Sequence, residues 1–176
     1  MKFGYFIFFS VLFLFGISCV NAGGVSSGVY VIRSSLDNEK VLTTADNNNI
    51  QINSFEQKNN QYWQVIKQDD GSFIIESLVD NSLVFDVTFA SIKNETNVRI
   101  YSNNGTAAQK WKLKSAGEGY YYIVSLLSDK MVLDIAQGSI AEGTNGQLYT
   151  INYSAAQNLN LMKLMKGKKL LKMELM

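Results

Sequence analysis

The sequence predicts an all-β domain made of three copies of one four-stranded unit. Three observations carry that expectation: a strand motif that recurs three times, a constant spacing between copies, and a hydrophobic period of two. Gly28-Val-Tyr30-Val-Ile32-Arg-Ser34 returns as Gly71-Ser-Phe73-Ile-Ile75-Glu-Ser77 and as Gly119-Tyr-Tyr121-Tyr-Ile123-Val-Ser125. Each is a turn glycine followed by an alternating strand that sets one aromatic and one isoleucine on the same face.

The remaining strands follow in order within each copy. The second is Lys40-Val41-Leu42, then Leu83-Val84-Phe85, then Met131-Val132-Leu133. The third is Ile50-Gln51-Ile52, matched by Val98-Arg99-Ile100-Tyr101 and by Gln147-Leu148-Tyr149. The fourth opens with Gln61-Tyr62-Trp63, Gln109-Lys110-Trp111 and Gln157-Asn158-Leu159. The second and third copies keep an offset of 48 residues without a gap, from Asp86 to Asp134 and from Gln109 to Gln157. The first copy is five residues shorter between its second and third strands, in a loop where length changes cost least. A propeller needs at least four blades, so three copies point to a threefold barrel with a hairpin cap. No helix is expected across 28–157, because the period there is two and not 3.6.

The ends of the chain differ from this body. Residues 1–22 read as a secretory signal peptide: Lys2, an apolar run from Phe3 to Val20, and Val20 and Ala22 at the −3 and −1 positions of a cut before Gly23. The chain is therefore expected to be secreted. Its only cysteine, Cys19, lies in that leader, so the mature chain has no disulfide or thiol chemistry. Residues 23–157 hold ten Lys/Arg against fourteen Asp/Glu, a mildly acidic body with no electrostatic footprint for nucleic acid. Residues 158–176 reverse the sign, with five Lys and one Glu, and carry four of the six methionines.

The two Gln-x-Trp triplets, Gln61/Trp63 and Gln109/Trp111, stand in register with Val84-Phe-Asp-Val87 and Val132-Leu-Asp-Ile135. With the G-x-[YF]-x-I-x-S strands, this pattern over about residues 28–157 resembles the ricin-type β-trefoil lectin family. The resemblance implies a twelve-stranded β-trefoil that binds glycans or polysaccharides through up to three shallow sites, one per repeat. The domains expected are 23–161 for the trefoil, with repeats of about 28–70, 71–118 and 119–161, and 162–176 as a basic tail.

The physical demands of sugar binding agree. A sugar shows vicinal hydroxyls and a weakly apolar C–H face, which call for a carboxylate, amides and an aromatic platform. The resemblance implies that Asp134 takes the hydroxyls in the third repeat, with Gln147 in support and Tyr149 as platform. In the second repeat the same places hold Asp86 and Tyr101, with Arg99 where the amide would stand. Ala108 and Ala156 precede the QxW glutamines where the family often has Asn, and Asn103 and Asn152 in the adjoining loops are candidates to substitute. The first repeat has Asn60 in that place but Thr43 for Asp and Asn53 for the aromatic, and is expected to be a lost site. Trp63 and Trp111 belong to the core, and Gln61, Gln109 and Gln157 are expected to tie hairpin backbones together.

No enzyme, cofactor or metal site is expected. The chain has no histidine, hence no Ser-His-Asp triad and no imidazole-ligated metal. A glycosidase needs two carboxylates roughly 5–10 Å apart, whereas Asp86 and Asp134 stand in different repeats. A structural or vestigial trefoil, or part of a longer tandem-lectin or glycosidase-linked protein, is the alternative. The tail has three readings: a basic amphipathic segment on a membrane or partner, a closing strand on Leu159 and Leu161 followed by a frayed end, or the product of a frameshift near Gln157.

Overall fold

A computed structural model describes residues 24–165, so residues 1–22, expected to be a signal peptide, and the Lys-rich end of the tail lie outside the described residues. Among those residues there are twelve strands, joined by turns that include short 3₁₀ segments, and no α-helix. The first repeat holds β1 (Gly28–Ser34), β2 (Lys40–Thr44), β3 (Ile50–Ser54) and β4 (Trp63–Lys67). The second holds β5 (Phe73–Ser77), β6 (Leu83–Val87), β7 (Thr96–Ser102) and β8 (Trp111–Gly117). The third holds β9 (Tyr120–Ser125), β10 (Met131–Ile135), β11 (Thr144–Thr150) and β12 (Leu159–Lys163).

The ladders close a ring. β1 pairs with β4, β4 with β5, β5 with β8, β8 with β9, β9 with β12, and β12 returns to β1, all antiparallel. Closure removes the free edges that an open sheet would present. The hairpins β2–β3, β6–β7 and β10–β11 stand outside this barrel, and β11 pairs with both β3 and β7 to join them into a cap. This is a β-trefoil.

The repeated residues form repeated layers of the core. Tyr30, Phe73 and Tyr121 are buried together with Ile32, Ile75 and Ile123, and Leu42, Phe85 and Leu133 are fully buried beneath the cap. Trp63 packs edge-on to Phe85 with ring centroids 4.6 Å apart, and Trp111 also meets the Phe85 ring edge-on, at 6.2 Å. Each indole N–H finds a buried carbonyl, Trp63 on Leu42 and Trp111 on Phe85. The third repeat puts Leu159 in this position, fully buried and paired with Tyr121 and Ser34. Gly146, where the other repeats have Ile50 and Val98, faces Ile50 so closely that an added Cβ would lie 3.2 Å from its carbonyl oxygen.

The small polar residues of the motifs close turns. Ser34, Ser77 and Ser125 are buried, and each hydroxyl accepts from the amide two residues on, at Leu36, Val79 and Leu127. The QxW glutamines sit in 3₁₀ turns just before β4, β8 and β12, so each closing strand begins at the Trp or Leu. The five-residue difference falls after the second strand. Repeats two and three place a 3₁₀ turn there (Thr88–Ala90 and Ala136–Gly138), and the first repeat replaces it with a tight turn through Asn48. β12 continues to Lys163, two residues past 161, and Leu164 packs against the cluster of Val31, Val41 and Tyr62.

Candidate functional site

Alternation along a strand decides which side chains reach the outer face of each hairpin. Leu133, Ile135 and Leu148 point into the core, so Val132 and Asp134 of β10 and Gln147 and Tyr149 of β11 share the outer face. Asp134 stands directly opposite Gln147, and Val132 opposite Tyr149. The same construction puts Asp86 opposite Arg99 and Val84 opposite Tyr101 in the second repeat, and Thr43 opposite Gln51 and Val41 opposite Asn53 in the first.

In the third repeat, Asp134 is only 5% exposed. Its Oδ1 accepts from the Gln147 amide at 3.0 Å and its Oδ2 from the Gln157 amide at 3.1 Å. An ionised carboxylate has about four acceptor positions, so two are left over. Burial pushes the Asp134 carboxyl above its ordinary value, against the downward pull of the two amides. Gln157 is wholly buried and otherwise braces the loop: its carbonyl accepts from the Asn152 and Tyr153 amides and its NH₂ donates to Thr150 O. Tyr149 is half-buried. Asn152 is exposed, and its side-chain carbonyl accepts from the Ser154 amide. Tyr153, beside it, is 63% exposed, takes a left-handed backbone (φ 61°) and meets Tyr122 edge-on at 5.7 Å.

The second repeat keeps the carboxylate and changes its partner. Asp86 Oδ2 accepts from Gln109 at 3.2 Å, as in the third repeat, but Oδ1 accepts from Arg99 Nε at 3.2 Å. The Arg99 guanidinium lies over the Tyr101 ring at 4.2 Å and within 6.0 Å of the Phe89 ring centre. Tyr101 is 45% exposed, and Asn103 is exposed with its carbonyl turned to the Gly105 amide. Ala108 and Ala156 are both buried in the main core cluster, so the position before each QxW glutamine packs inward in these two repeats.

The first repeat, where a lost site is expected, has Thr43 and Asn53 at the places of the acid and the aromatic. A polar cleft of about 270 Å³ lies there, lined by Thr43, Gln51, Asn53, Asn60 and Gln61, among others. Three carboxylates line it, Asp46, Glu56 and Glu142, and the last reaches across from the third repeat. Glu142 pairs with Lys40 and accepts from Ser54 Oγ at 2.6 Å, from the Ser54 amide at 3.1 Å and from Asn53 Nδ2 at 2.9 Å. Lys40 foremost, then Ser54, hold its carboxyl down at about 2. Asn94, 48 residues earlier, makes the equivalent contact one repeat on, accepting from the Thr150 amide and hydroxyl at 2.8 Å each. Sequence reasoning missed Glu142, Phe89 and Tyr153. The constant spacing from Asn94 was the one signal for Glu142. Among the described residues no group of three or more Asp, Glu, His or Cys gathers where a metal would be held.

The profile of a family described as ricin-type beta-trefoil lectin domain-like matches the chain twice, over residues 15–101 and 59–149. The designed threefold-symmetric protein ThreeFoil is 27% identical with a TM-score of 0.73, over 78% of this chain and 99% of its own. The Macrolepiota procera ricin B-like lectin, solved in complex with lactose, is 19% identical with a TM-score of 0.70, over 80% of this chain and 99% of its own. An exo-beta-1,3-galactanase from Clostridium thermocellum is 22% identical with a TM-score of 0.67, over 81% of this chain and 31% of its own. No curated protein matches the chain.

Proposed function

The chain belongs to the ricin-type beta-trefoil lectin domain-like family, and from that premise we propose that it is a secreted, non-catalytic module that binds glycans on the outer faces of its second and third hairpins. The observation that carries this reading is Asp134. It is buried, held rigid by two amides, and retains two acceptor positions. Two vicinal sugar hydroxyls match those positions. Gln147 orients the carboxylate, Tyr149 offers a ring to the sugar's C–H face, and Asn152 stands at the rim. Asp86, Tyr101 and Asn103 fill the corresponding places in the second repeat. The lactose complex of the Macrolepiota lectin supports sugars as the ligand class. The apolar leader ending in Val20-Asn21-Ala22 supports secretion.

A site this shallow, with one carboxylate and one ring, is expected to bind a single sugar at a Kd of about 0.1–1 mM. Useful avidity then comes from two sites on one multivalent glycan. A glycan array followed by titration of the best binder tests the reading. Asp134→Asn and Tyr149→Ala should each remove most third-site binding while the protein stays folded. Full binding with both Asp86 and Asp134 replaced by Asn would end the proposal.

A second reading makes this domain the sugar-anchoring part of a longer enzyme. The galactanase favours it, since the region matched there is under a third of that chain. Sequencing the gene across codon 157 and beyond codon 176 tests this: repeat-like coding in another frame supports it, and its absence in every frame removes it.

A further inference from the structure

We propose that the second-repeat site selects sugars bearing an anionic group, a carboxylate or a sulfate ester, and that Arg99 is the residue that selects them. This rests on the glycan-binding reading above and divides its two sites by charge.

Asp86 and Asp134 occupy the same place, are equally buried, and take the same bond from a QxW glutamine. They differ in the group on Oδ1. A neutral amide leaves the third site with a full negative charge, ready to accept from neutral hydroxyls. A guanidinium cancels the charge of Asp86 and puts the cation outermost, since the Arg99 side chain is 30% exposed and that of Asp86 only 7%. An incoming group therefore meets the cation before the carboxylate.

Arg99 spends only Nε on Asp86; its two terminal nitrogens have no protein acceptor among the described residues. Those nitrogens form a planar, two-pronged donor edge whose spacing matches two oxygens of a carboxylate or sulfate. The Tyr101 ring, its centre 4.2 Å from the guanidinium carbon, covers one side of the fork.

Phe89 is the independent observation. Its ring is 92% exposed, and its backbone lies in the left-handed region at φ 56°. The third repeat has Gln137 in that conformation. A bulky aromatic there is disfavoured and gains nothing from burial in the free protein. Beside Arg99 and Tyr101 it gives an acidic sugar a second apolar wall, so that ring and anion are recognised together.

The test compares three probes by titration: methyl β-galactoside, methyl β-glucuronide and galactose 6-sulfate. Arg99→Gln should weaken the acidic probes about tenfold or more, and should fold, because it recreates the Asp–Gln pair of the third repeat. Asp134→Asn should instead strip the neutral probe. Added salt should weaken the acidic probes more than the neutral one. Loss of one acidic probe alone identifies carboxylate or sulfate as the source. If the neutral probe binds through Asp134 but the acidic ones bind no better and ignore Arg99→Gln, this inference is overturned while the lectin reading stands. If none of the probes and no arrayed glycan binds, both fall.

Discussion

The first and third repeats each hold a carboxylate against the outer face of a hairpin, and they hold it differently. Glu142, on the first repeat, has four donors around it, from Lys40, Asn53 and the backbone and hydroxyl of Ser54. Asp134, on the third, has two. A saturated carboxylate fastens two repeats together and has nothing left to offer a hydroxyl. A half-satisfied one keeps acceptor positions free of protein donors. The number of unfilled acceptor positions, rather than the presence of an acid, separates a clasp from a site. The repeats differ in the core as well, where Trp63 closes the first and Leu159 the third.

The largest effect expected is in that core. Trp63→Ala should cost about 3–5 kcal/mol and Leu159→Ala about 2–5 kcal/mol, through the cavities they leave. Urea unfolding measures both. A cost at Leu159 near zero would show that the third repeat is loosely packed and that the repeats do not share one core.

Next comes ligand binding. Asp134→Asn should lose about 1.5–3 kcal/mol of sugar affinity, the worth of hydrogen bonds to a charged group, whereas Thr43→Ala in the first repeat should change it little. Equal losses at both positions would erase the distinction between the repeats.

Glu142→Gln should be milder: below about 1 kcal/mol in stability, since the Glu142 end of its ion pair is exposed, with glycan binding untouched. A drop in binding would make the first-repeat cleft a working site.

The smallest effect separates the two acids by pH. Asp134 has a folded pKa above its unfolded value of 3.8, so the folded state binds its proton more readily. Acidification through that range favours the fold at Asp134 while removing the acceptor a sugar needs. Glu142 is depressed from 4.5 to about 2, so its contribution is present above 4.5 and fades as pH falls towards 2. Melting curves of Glu142→Gln and Asp134→Asn against pH should therefore depart from the parent in opposite directions. Parallel curves would mean that the two carboxylates are held alike.

Much of this was legible in the sequence, because three copies of one unit report on each other. Gly28, Gly71 and Gly119 mark the barrel strands, and the serines six residues later mark the turns that leave them. The register of Asp86 with Asp134 identified equivalent places on two hairpins before any geometry was known. The five-residue deletion was readable as a shorter loop. What was not readable depends on contacts between copies. Glu142 meets Ser54 only once β11 and β3 are paired, and nothing local marks it. Arg99 was visible as a replacement for an amide, but its stacking on Tyr101 belongs to side-chain geometry. Phe89 reads as an ordinary apolar residue, and its exposure follows from a turn that forces φ positive.

The seam of the barrel has a consequence of another kind. β1 and β12 lie side by side, with Tyr30 opposite Lys163 and Ser34 opposite Leu159. The first residues of one strand and the last of the other therefore sit at the same end of one ladder. Tension between Gly28 and Lys163 loads those hydrogen bonds one after another, as a zipper opens, instead of shearing them all at once. Along that direction of pull the domain is mechanically soft, however stable it is to heat or urea.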